Sequence, residues 1–248
     1  YIMSTKNFLQ NPNLPRGKVT DILCSHHLKG REGIPHIIPT PKVNIAYPEI
    51  SHHPDLMLHH LGGRFFVSAP ETADYFQKVL PEAKIFCGKS PVGRHYPEDI
   101  AYNVARVNRY AFHHAKYTDF VICEYFEQNG VTLIDVPQGY TKCSVAVISE
   151  NAIITSDSKI AYKADLNGID VLKIREGGIR LSGFPYGFVG GCCGLISREM
   201  LLVNGNLSQH PDFLEMQNFC RKYNVSLCFL HDGIPVDVGS IIPVYEYI

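Results

Sequence analysis

The chain has 248 residues and a mass of 27.8 kDa, enough for one large domain or two small ones. Its 45% hydrophobic and 19% charged residues are typical of a folded globular protein and exclude a disordered one. The 23 Lys and Arg residues nearly balance the 24 Asp and Glu residues, which argues against a broad nucleic-acid interface. No apolar run approaches the roughly 18 residues of a membrane span, and no signal-peptide pattern is present. We therefore expect a cytoplasmic protein without membrane contact.

The cysteine pattern favours free thiols. There are eight cysteines, but no CxxC pair that would indicate a structural zinc site, and no secretory signal accompanies them. Cys87, Cys123, Cys220 and Cys228 lie within apolar or helical runs, where free cysteine behaves as a small buried hydrophobe.

Internal similarity is the main structural signal, and its elements follow in chain order. A strand is predicted at Lys18–Cys24. Residues 55–67 then predict a β-hairpin, followed by a helix over 68–80 that begins at an N-cap serine. A short apolar strand at 83–86 completes this first ββαβ unit.

Three further units follow the same pattern. The second has its hairpin at 103–112 and its last strand at 131–136, and the third has them at 139–157 and 170–174. The fourth has a hairpin at 187–205, a helix over 208–223 capped by Ser208, and a strand at 226–230. The third and fourth hairpins align without a gap. This alignment places Cys192 and Asn103 opposite Ser144, and Ala111 opposite Ala152.

The two ends of the chain are predicted to form a fifth unit together. Residues 236–244 resemble the start of another unit but have no helix after them, so the N-terminal segment has to complete it. We expect a single domain over residues 1–248, in which residues 1–40 close a ring with the C-terminal strands at 234–248.

A ring of five ββαβ units resembles the pentein fold, also called the α/β propeller. The resemblance also rests on Tyr140-Thr-Lys-Cys-Ser-Val-Ala-Val and Phe184-Pro-Tyr-Gly-Phe-Val-Gly-Gly-Cys-Cys-Gly, and it is greatest to an uncharacterised bacterial pentein-like family of unknown function. It implies an α/β fold around a pseudo-fivefold axis. The superfamily contains arginine and agmatine deiminases, dimethylarginine hydrolase and amidinotransferases, together with a non-catalytic ribosome-binding initiation factor.

The resemblance also implies a type of active site at the centre of the ring. In the enzymes a cysteine attacks the guanidinium carbon, a histidine in an H-x-D or H-x-E setting transfers protons, and carboxylates hold the cationic substrate. Carboxylates suit this planar cation because they bind it in bidentate fashion. A thiolate is nucleophilic enough to attack it.

The residues that match this site are candidates for catalysis. Cys192, in the glycine-rich segment Gly190–Gly194, is the first candidate nucleophile, with Cys193 and Cys143 as alternatives. His53 is the candidate general acid and base, because Ser51-His-His-Pro-Asp55 contains an H-x-D motif. The alternative for each is structural: the cysteines would fill a crowded axis, and the H-x-D segment would be a helix start, as in Ser208-Gln-His-Pro-Asp212.

The candidate substrate-binding residues are polar positions that the repeat places near the axis: Asp55, Asp99, Asn103, Lys142 and Asp237. The carboxylates would bind a guanidinium, whereas Lys142 would suit an anionic substrate group. Alternatively, these side chains cap strand ends and bond to one another or to water.

Three functions stay open at this point. The first is a cysteine-dependent hydrolase or transferase acting on a guanidine or amidine such as an arginine derivative. The second is an inactive pentein that binds a partner or a small ligand. The third is a metal-dependent hydrolase, in which His53, Asp55 and a distant histidine would bind the ion. We predict a small-molecule ligand at the axis, no cofactor, no metal and no nucleic-acid partner, and we assign no oligomeric state.

Overall fold

The fold is mixed α/β and is described by a computed structural model covering residues 5–45 and 47–248. Its strands are β1 (Lys6–Phe8), β2 (Lys18–Cys24), β3 (His36–Pro39), β4 (Leu58–Gly62), β5 (Phe65–Ser68), β6 (Lys84–Cys87), β7 (Ala105–Val107), β8 (Tyr110–His113), β9 (Thr132–Asp135), β10 (Val145–Ser149), β11 (Ala152–Thr155), β12 (Asp170–Lys173), β13 (Cys193–Ser197), β14 (Met200–Val203), β15 (Ser226–Phe229) and β16 (Ile242–Tyr247). Its helices are α1 (Ala73–Val79), α2 (Phe120–Gln128), the single turn α3 (Thr141–Ser144), α4 (Ser158–Leu166) and α5 (Phe213–Lys222). Within the described residues, no helix is long and apolar enough to cross a membrane.

The strands form five sheets. Four sheets have three strands each, in the orders β4-β5-β6, β7-β8-β9, β10-β11-β12 and β13-β14-β15. In each of them the first two strands form an antiparallel hairpin and the third pairs in parallel with the second. The parallel connection contains a helix in every case: α1, α2, α4 or α5. Such a connection is the usual solution, because parallel neighbours need a long crossover.

The fifth sheet joins the two ends of the chain. Its order is β1-β16-β2-β3, so that the C-terminal strand lies between two N-terminal strands. Strand β16 begins at Ile242, later than the predicted 236–244 segment, and Val236 instead makes an isolated parallel bridge with Arg180.

Both predicted helix starts are shifted. After Ser68 the chain forms a 3-10 turn at Pro70–Thr72 before α1 begins at Ala73. The Ser68 hydroxyl does not cap that helix but bonds to Thr72 Oγ1 at 2.9 Å. Likewise α5 begins at Phe213, and Ser208 donates its backbone N–H to the Asn206 side chain rather than acting as a cap.

A β-bulge explains an error in the predicted alignment. Three hairpins skip one residue of their first strand, after His60, Val147 and Leu195, as expected where an extra residue bends a strand. The β7–β8 hairpin pairs without this bulge. Ala111 is therefore the second residue of β8 and corresponds to Ile153, not to Ala152 as predicted.

The hairpins of the third and fourth units begin side by side. A Cβ on Gly190 would lie 2.2 Å from the carbonyl oxygen of Val145, so only glycine permits this close approach. This contact fixes the 3-10 turn Gly190–Cys192 against the start of β10. All eight cysteines are free, and Cys87 is exposed, contrary to its predicted burial.

Candidate active site

A cavity of about 240 Å³ lies where several first strands begin. Most of its wall is apolar or aromatic, and its ionisable groups come from segments far apart in the chain. The residues that line it are Ile50, His53, Leu56, Tyr140, Cys143, Leu181, Phe184, Pro185, Tyr186, Phe188 and Asp237.

Cys143 is held at the cavity wall by Asn103. The thiol lies in the single turn α3, directly before β10. Asn103 Oδ1 accepts hydrogen bonds from the backbone N–H groups of Lys142 at 2.8 Å and Cys143 at 3.4 Å. Its Nδ2 donates toward Cys143 Sγ at 3.6 Å. Asn103 thus positions the cysteine and faces its sulfur.

Asp55 is the nearest carboxyl group to this thiol. It lies in the 3-10 turn Pro54–Leu56 that precedes β4, not in the hairpin strand as predicted. Its Oδ2 accepts from Cys143 Sγ at 2.7 Å and from Ser240 Oγ at 3.3 Å. Its Oδ1 is buried and has no hydrogen-bond partner within the described chain. Asp55 therefore has acceptor capacity left for a ligand or a proton.

Burial controls the ionisation of both groups. Asp55 is only 1% exposed, and desolvation raises its pKa to about 7, partly opposed by the hydrogen bond from Cys143. Desolvation and the neighbouring Asp55 and Asp237 raise the pKa of the Cys143 thiol well above its usual value. Without a ligand, the sulfur therefore retains its proton near neutral pH.

His53 and Asp237 are the other two ionisable groups of the site. His53 Nδ1 lies 4.0 Å from Asp237 Oδ1. Burial, followed by the nearby His27 and His52, lowers the pKa of His53 to about 3, so that its imidazole is neutral at pH 7 and this contact is not an ion pair. Burial raises the pKa of Asp237 to about 6.

Backbone groups hold the Asp237 carboxylate. Its Oδ2 accepts from the Phe188 N–H at 2.9 Å and its Oδ1 from the Gly239 N–H at 2.9 Å. A Cβ on Gly191 would lie 2.1 Å from Oδ1, and one on Gly239 would lie 2.3 Å from the Cβ of His53. The two glycines therefore allow Asp237 and His53 to lie this close to the backbone.

Like Asp55 and Asn103, the predicted residues Asp99 and Lys142 are not among those that line the cavity. Asp99 is buried behind the wall and accepts a 2.7 Å hydrogen bond from the Tyr140 hydroxyl. Lys142 points elsewhere and lines two cavities of about 10 Å³ each, a size that holds about one water. Burial lowers the pKa of Lys142, opposed by Asp55.

The geometry does not favour Cys192 as the nucleophile. Its Sγ is fully buried, is absent from the cavity wall and donates to the Val189 carbonyl at 3.2 Å. The hydrogen bond with Cys193 and burial raise its pKa well above the usual value. Cys193 donates to the same carbonyl at 3.1 Å. Both therefore have the packed environment of the structural alternative, and Cys143 is the thiol that reaches the cavity.

Three residues of the site could also hold a metal ion. One ligand atom each from His53, Asp55 and Cys143 lies within 4.8 Å of the other two. Nitrogen, oxygen and thiolate donors suit Zn²⁺, and three protein ligands leave a fourth position open. The third ligand is a cysteine and not the distant histidine of the metal hypothesis.

Some residues of the site were not predicted. Tyr140 and Phe184–Phe188 belong to the stretches that carry the family resemblance, but an aromatic wall has no spacing signal of its own. Ser240 could have been noticed only from structure, where its φ of 78° is unusual for a residue with a side chain.

Comparison with known proteins gives a family and a fold. The model of a family described as "Family of unknown function (DUF6873)" matches residues 25–242. No curated protein matches the sequence.

Several solved structures are similar despite very low identity. An inosamine-phosphate amidinotransferase from Streptomyces griseus has a TM-score of 0.54 at 9% identity, covering 96% of both chains. A mutant of DDAH from Pseudomonas aeruginosa complexed with citrulline has a TM-score of 0.53 at 10% identity, covering 86% of this chain and 92% of its own. A dimethylarginine dimethylaminohydrolase adduct with 4-chloro-2-hydroxymethylpyridine has a TM-score of 0.51 at 9% identity, with the same coverage.

Proposed function

The chain belongs to the family of unknown function DUF6873 and has the fold of the pentein superfamily, and from this premise we propose that it is a cysteine-dependent enzyme acting on a guanidine or amidine. Cys143 is the nucleophile, Asp55 accepts its proton, and His53 activates water. Asp55 and Asp237 bind the cationic group of a small-molecule substrate.

The observation that carries this proposal is the 2.7 Å hydrogen bond from Cys143 Sγ to Asp55 Oδ2 beside the neutral His53. A nucleophile within hydrogen-bond reach of a base, with a second base close by, is the arrangement that covalent catalysis requires. All three groups are buried, which strengthens the electrostatic interactions among them.

The cavity is suited to a planar cation. A bound guanidinium stabilises the ionised forms of Asp55 and Asp237, whose pKa values burial has raised to about 7 and about 6. It also favours the thiolate over the thiol. The rings of Tyr140 and Phe188 line the cavity, and aromatic faces attract such cations.

The reaction proceeds in two balanced steps. First, Cys143 sulfur bonds to the central carbon while its proton passes to Asp55 and then to the leaving amine, and the carbon–nitrogen bond breaks. Second, water attacks the same carbon and gives a proton to His53. The sulfur–carbon bond breaks, and the proton returns from His53 to the sulfur. The second proton of the water passes from the cationic product to the released amine, which leaves as an ammonium ion, so that the product is neutral. A neutral imidazole is the form needed for the second step.

The proposal includes the overall architecture. The five sheets surround a pseudo-fivefold axis, and the substrate enters at that axis. The chain forms one domain, and its terminal segments close the ring. The four ββαβ sheets and the shared terminal sheet support this arrangement.

Two matched electrophiles test the function. 2-Chloroacetamidine is cationic and planar, whereas 2-chloroacetamide has nearly the same shape and no charge. We expect the amidine to label Cys143 at least about 100-fold faster. Both electrophiles use the same general base, but only the cationic amidine is stabilised by the buried carboxylates, and electrostatic stabilisation contributes factors of this order. Mass spectrometry identifies the labelled residue, and Cys87→Ser removes the exposed background thiol.

Cys192, which is packed away from the cavity, serves as the control. Cys143→Ser abolishes the fast labelling, whereas Cys192→Ser retains it. Equal rates for the two electrophiles, or labelling at Cys192, would contradict the proposal. Release of amine or ammonia from a panel of guanidines then identifies the reaction.

A second candidate function rests on the donor set of the site. His53, Asp55 and Cys143 could bind Zn²⁺ with an open position toward the cavity, which would make the protein a metal-dependent hydrolase. Elemental analysis distinguishes the two functions. One equivalent of zinc in the purified protein, lost in His53→Ala and in Cys143→Ser but retained in Cys192→Ser, would favour the metal enzyme.

A further inference from the structure

Three histidines form a cluster next to the candidate active site. His26 and His27 lie in the turn that follows β2, and His52 directly precedes His53. The ring centroid of His26 is 4.0 Å from that of His27 and 4.0 Å from that of His52, and the centroids of His27 and His52 are 6.1 Å apart. Adjacent side chains on a strand point to opposite faces, but the turn brings these two rings together.

Thr40 ties together the two segments that carry the histidine cluster. Its backbone N–H donates to the Cys24 carbonyl at 3.1 Å. Its hydroxyl lies within hydrogen-bond reach of the carbonyls of Cys24, at 3.3 Å, and of His52. In the turn, the hydroxyl oxygen of Ser25 accepts from the His27 N–H at 3.4 Å. Ser25 and Thr40 are both buried, so the backbone that presents the cluster is held by the interior of the protein.

The His52 ring has the orientation expected of a metal ligand. Its Nδ1 lies 3.3 Å from the carbonyl oxygen of Thr40. Because a carbonyl only accepts, Nδ1 carries the proton of the neutral ring and the lone pair is on Nε2. Histidines that bind metals usually donate their other ring N–H to an acceptor of this kind. Nε2 of His52 is therefore the nitrogen that can bind an ion.

The other two rings can turn toward an ion. His26 and His27 are exposed, and exposed side chains change rotamer within picoseconds to nanoseconds. This freedom is needed, because the cluster does not offer three nitrogens within 4.8 Å of one another, as the donor set of the candidate active site does. An ion would thus be bound first at the oriented His52 ring and then by the two exposed rings.

The donor set determines the class of ion. Imidazole nitrogens suit Zn²⁺, Ni²⁺ and Cu²⁺, whereas Mg²⁺ and Ca²⁺ require oxygen ligands. Lys29 lines the same groove as His27, and the charge of Lys42 acts on His52, so these cations oppose binding. The affinity must therefore come from nitrogen coordination rather than from an excess of negative charge.

The site would also be accessible. Three protein ligands leave a fourth position of a tetrahedral ion open. His27 is part of the wall of a groove of about 910 Å³, from which an ion at the histidine cluster can be reached.

We infer that His26, His27 and His52 together bind one divalent transition-metal ion of the zinc, nickel and copper class through their ring nitrogens, with a coordination position open to the groove. The site shares no ligand with the donor set of the candidate active site. The inference does not depend on the proposed function.

Calorimetric titration of the Cys143→Ser variant, which lacks the thiolate donor of the active-site set, tests the inference. The probes are nickel chloride, zinc chloride and magnesium chloride at about pH 7.5, where an ordinary imidazole is largely neutral. We expect Ni²⁺ and Zn²⁺ to bind and Mg²⁺ to give no binding signal, as the preferences of these ions predict.

Substitutions in the same background assign the site. His26→Gln and His52→Gln each remove one ligand and should weaken Ni²⁺ binding at least about tenfold, because loss of even an outer-shell partner has an effect of this order. His26 is exposed, so that its substitution does not threaten the fold. His95→Gln, at an exposed histidine outside the cluster, serves as the control and should bind Ni²⁺ as the parent does.

Two results would overturn the inference. The first is the absence of Ni²⁺ binding to Cys143→Ser. The second is unchanged affinity in either His26→Gln or His52→Gln, which would show that the nitrogens of the cluster do not bind the ion together. Neither result affects the proposed function, which is tested separately by the labelling of Cys143.

Discussion

The thiol of Cys143 donates a hydrogen bond to Oδ2 of Asp55 at 2.7 Å, across 88 residues of sequence. Both groups are buried, and burial favours the neutral form of each. Below about pH 7 both groups therefore hold their protons, and above it the carboxyl ionises while the thiol keeps its own. A cation in the adjacent cavity changes this balance, because it favours both anionic forms.

The free energy of unfolding should depend on pH because the Asp55 carboxyl is buried. Its folded pKa of about 7 is raised above its unfolded value of about 3.9. Between these values the folded chain keeps a proton that the unfolded chain has lost, so this group's contribution to stability falls as the pH rises from about 4 to about 7. Asp55→Asn removes this dependence and retains an acceptor for Cys143 and Ser240.

Urea denaturation at several pH values measures this effect. The free energy of unfolding of Asp55→Asn, relative to the parent, should increase from about pH 4 to about pH 7 and then remain constant. Asp165→Asn, an exposed substitution on α4, should show no such trend. If the free energies of unfolding of Asp55→Asn and the parent differ by the same amount at every pH, Asp55 is ionised in the folded protein across this pH range.

Sequence patterns identified the polar residues of the site but not which of the candidate cysteines reaches the cavity. His53 and Asp55 were found because H-x-D is contiguous in sequence, although the strand placement of Asp55 was not correct. The choice between Cys143 and Cys192 depends on which way each sulfur points at the start of its hairpin. Ser144 and Cys192 do lie directly before β10 and β13 at equivalent positions, but equivalence in the repeat does not show which side chain reaches a cavity.

The last strand of each unit was predicted better than the starts of the helices. The last strands β6, β9, β12 and β15 agree with the predicted segments to within one residue at every end, because alternation of apolar residues specifies a strand well. Bulges shift the pairing of a hairpin by one residue, and 3-10 turns delay the start of a helix. Both features depend on tertiary packing. The contact of Tyr140 with Asp99 spans 41 residues and has no local signal.

Asn103→Asp tests whether Asn103 promotes the reactivity of Cys143. Aspartate keeps the shape and the acceptor for the backbone, but the donor that faces Cys143 Sγ at 3.6 Å is lost. The added negative charge raises the pKa of the thiol further. We expect alkylation of Cys143 by 2-chloroacetamide to slow by about tenfold, the effect of one pKa unit. Asn151→Asp, in an exposed turn, should leave the rate unchanged. An unaltered rate in Asn103→Asp would argue against this role.

Gly191→Ala should displace the Asp237 carboxylate and destabilise the protein. The new Cβ would lie 2.1 Å from Asp237 Oδ1, so the carboxylate must move away from the N–H groups of Phe188 and Gly239. Overpacking of this kind costs about 1–3 kcal/mol of stability, measurable by urea denaturation. Gly30→Ala is the matched control, since its Cβ would have its nearest neighbour at an ordinary 3.5 Å. Equal stability of the two variants would contradict the packing described.

Tyr140→Phe should destabilise the protein through Asp99, which lies behind the cavity wall. The Tyr140 hydroxyl is the only side-chain donor to Asp99 within the described residues, and Asp99 Oδ1 is already buried without a partner. Removing the hydroxyl leaves the carboxyl without that donor, at a cost of about 1–3 kcal/mol, while the ring still lines the cavity. Tyr162→Phe, on the exposed face of α4, should change the free energy of unfolding very little.

A double-mutant cycle with Asp99→Asn separates the interaction of Tyr140 with Asp99 from other effects of the substitution. If Tyr140→Phe costs as much in the Asp99→Asn background as in the parent, the hydroxyl stabilises something other than Asp99.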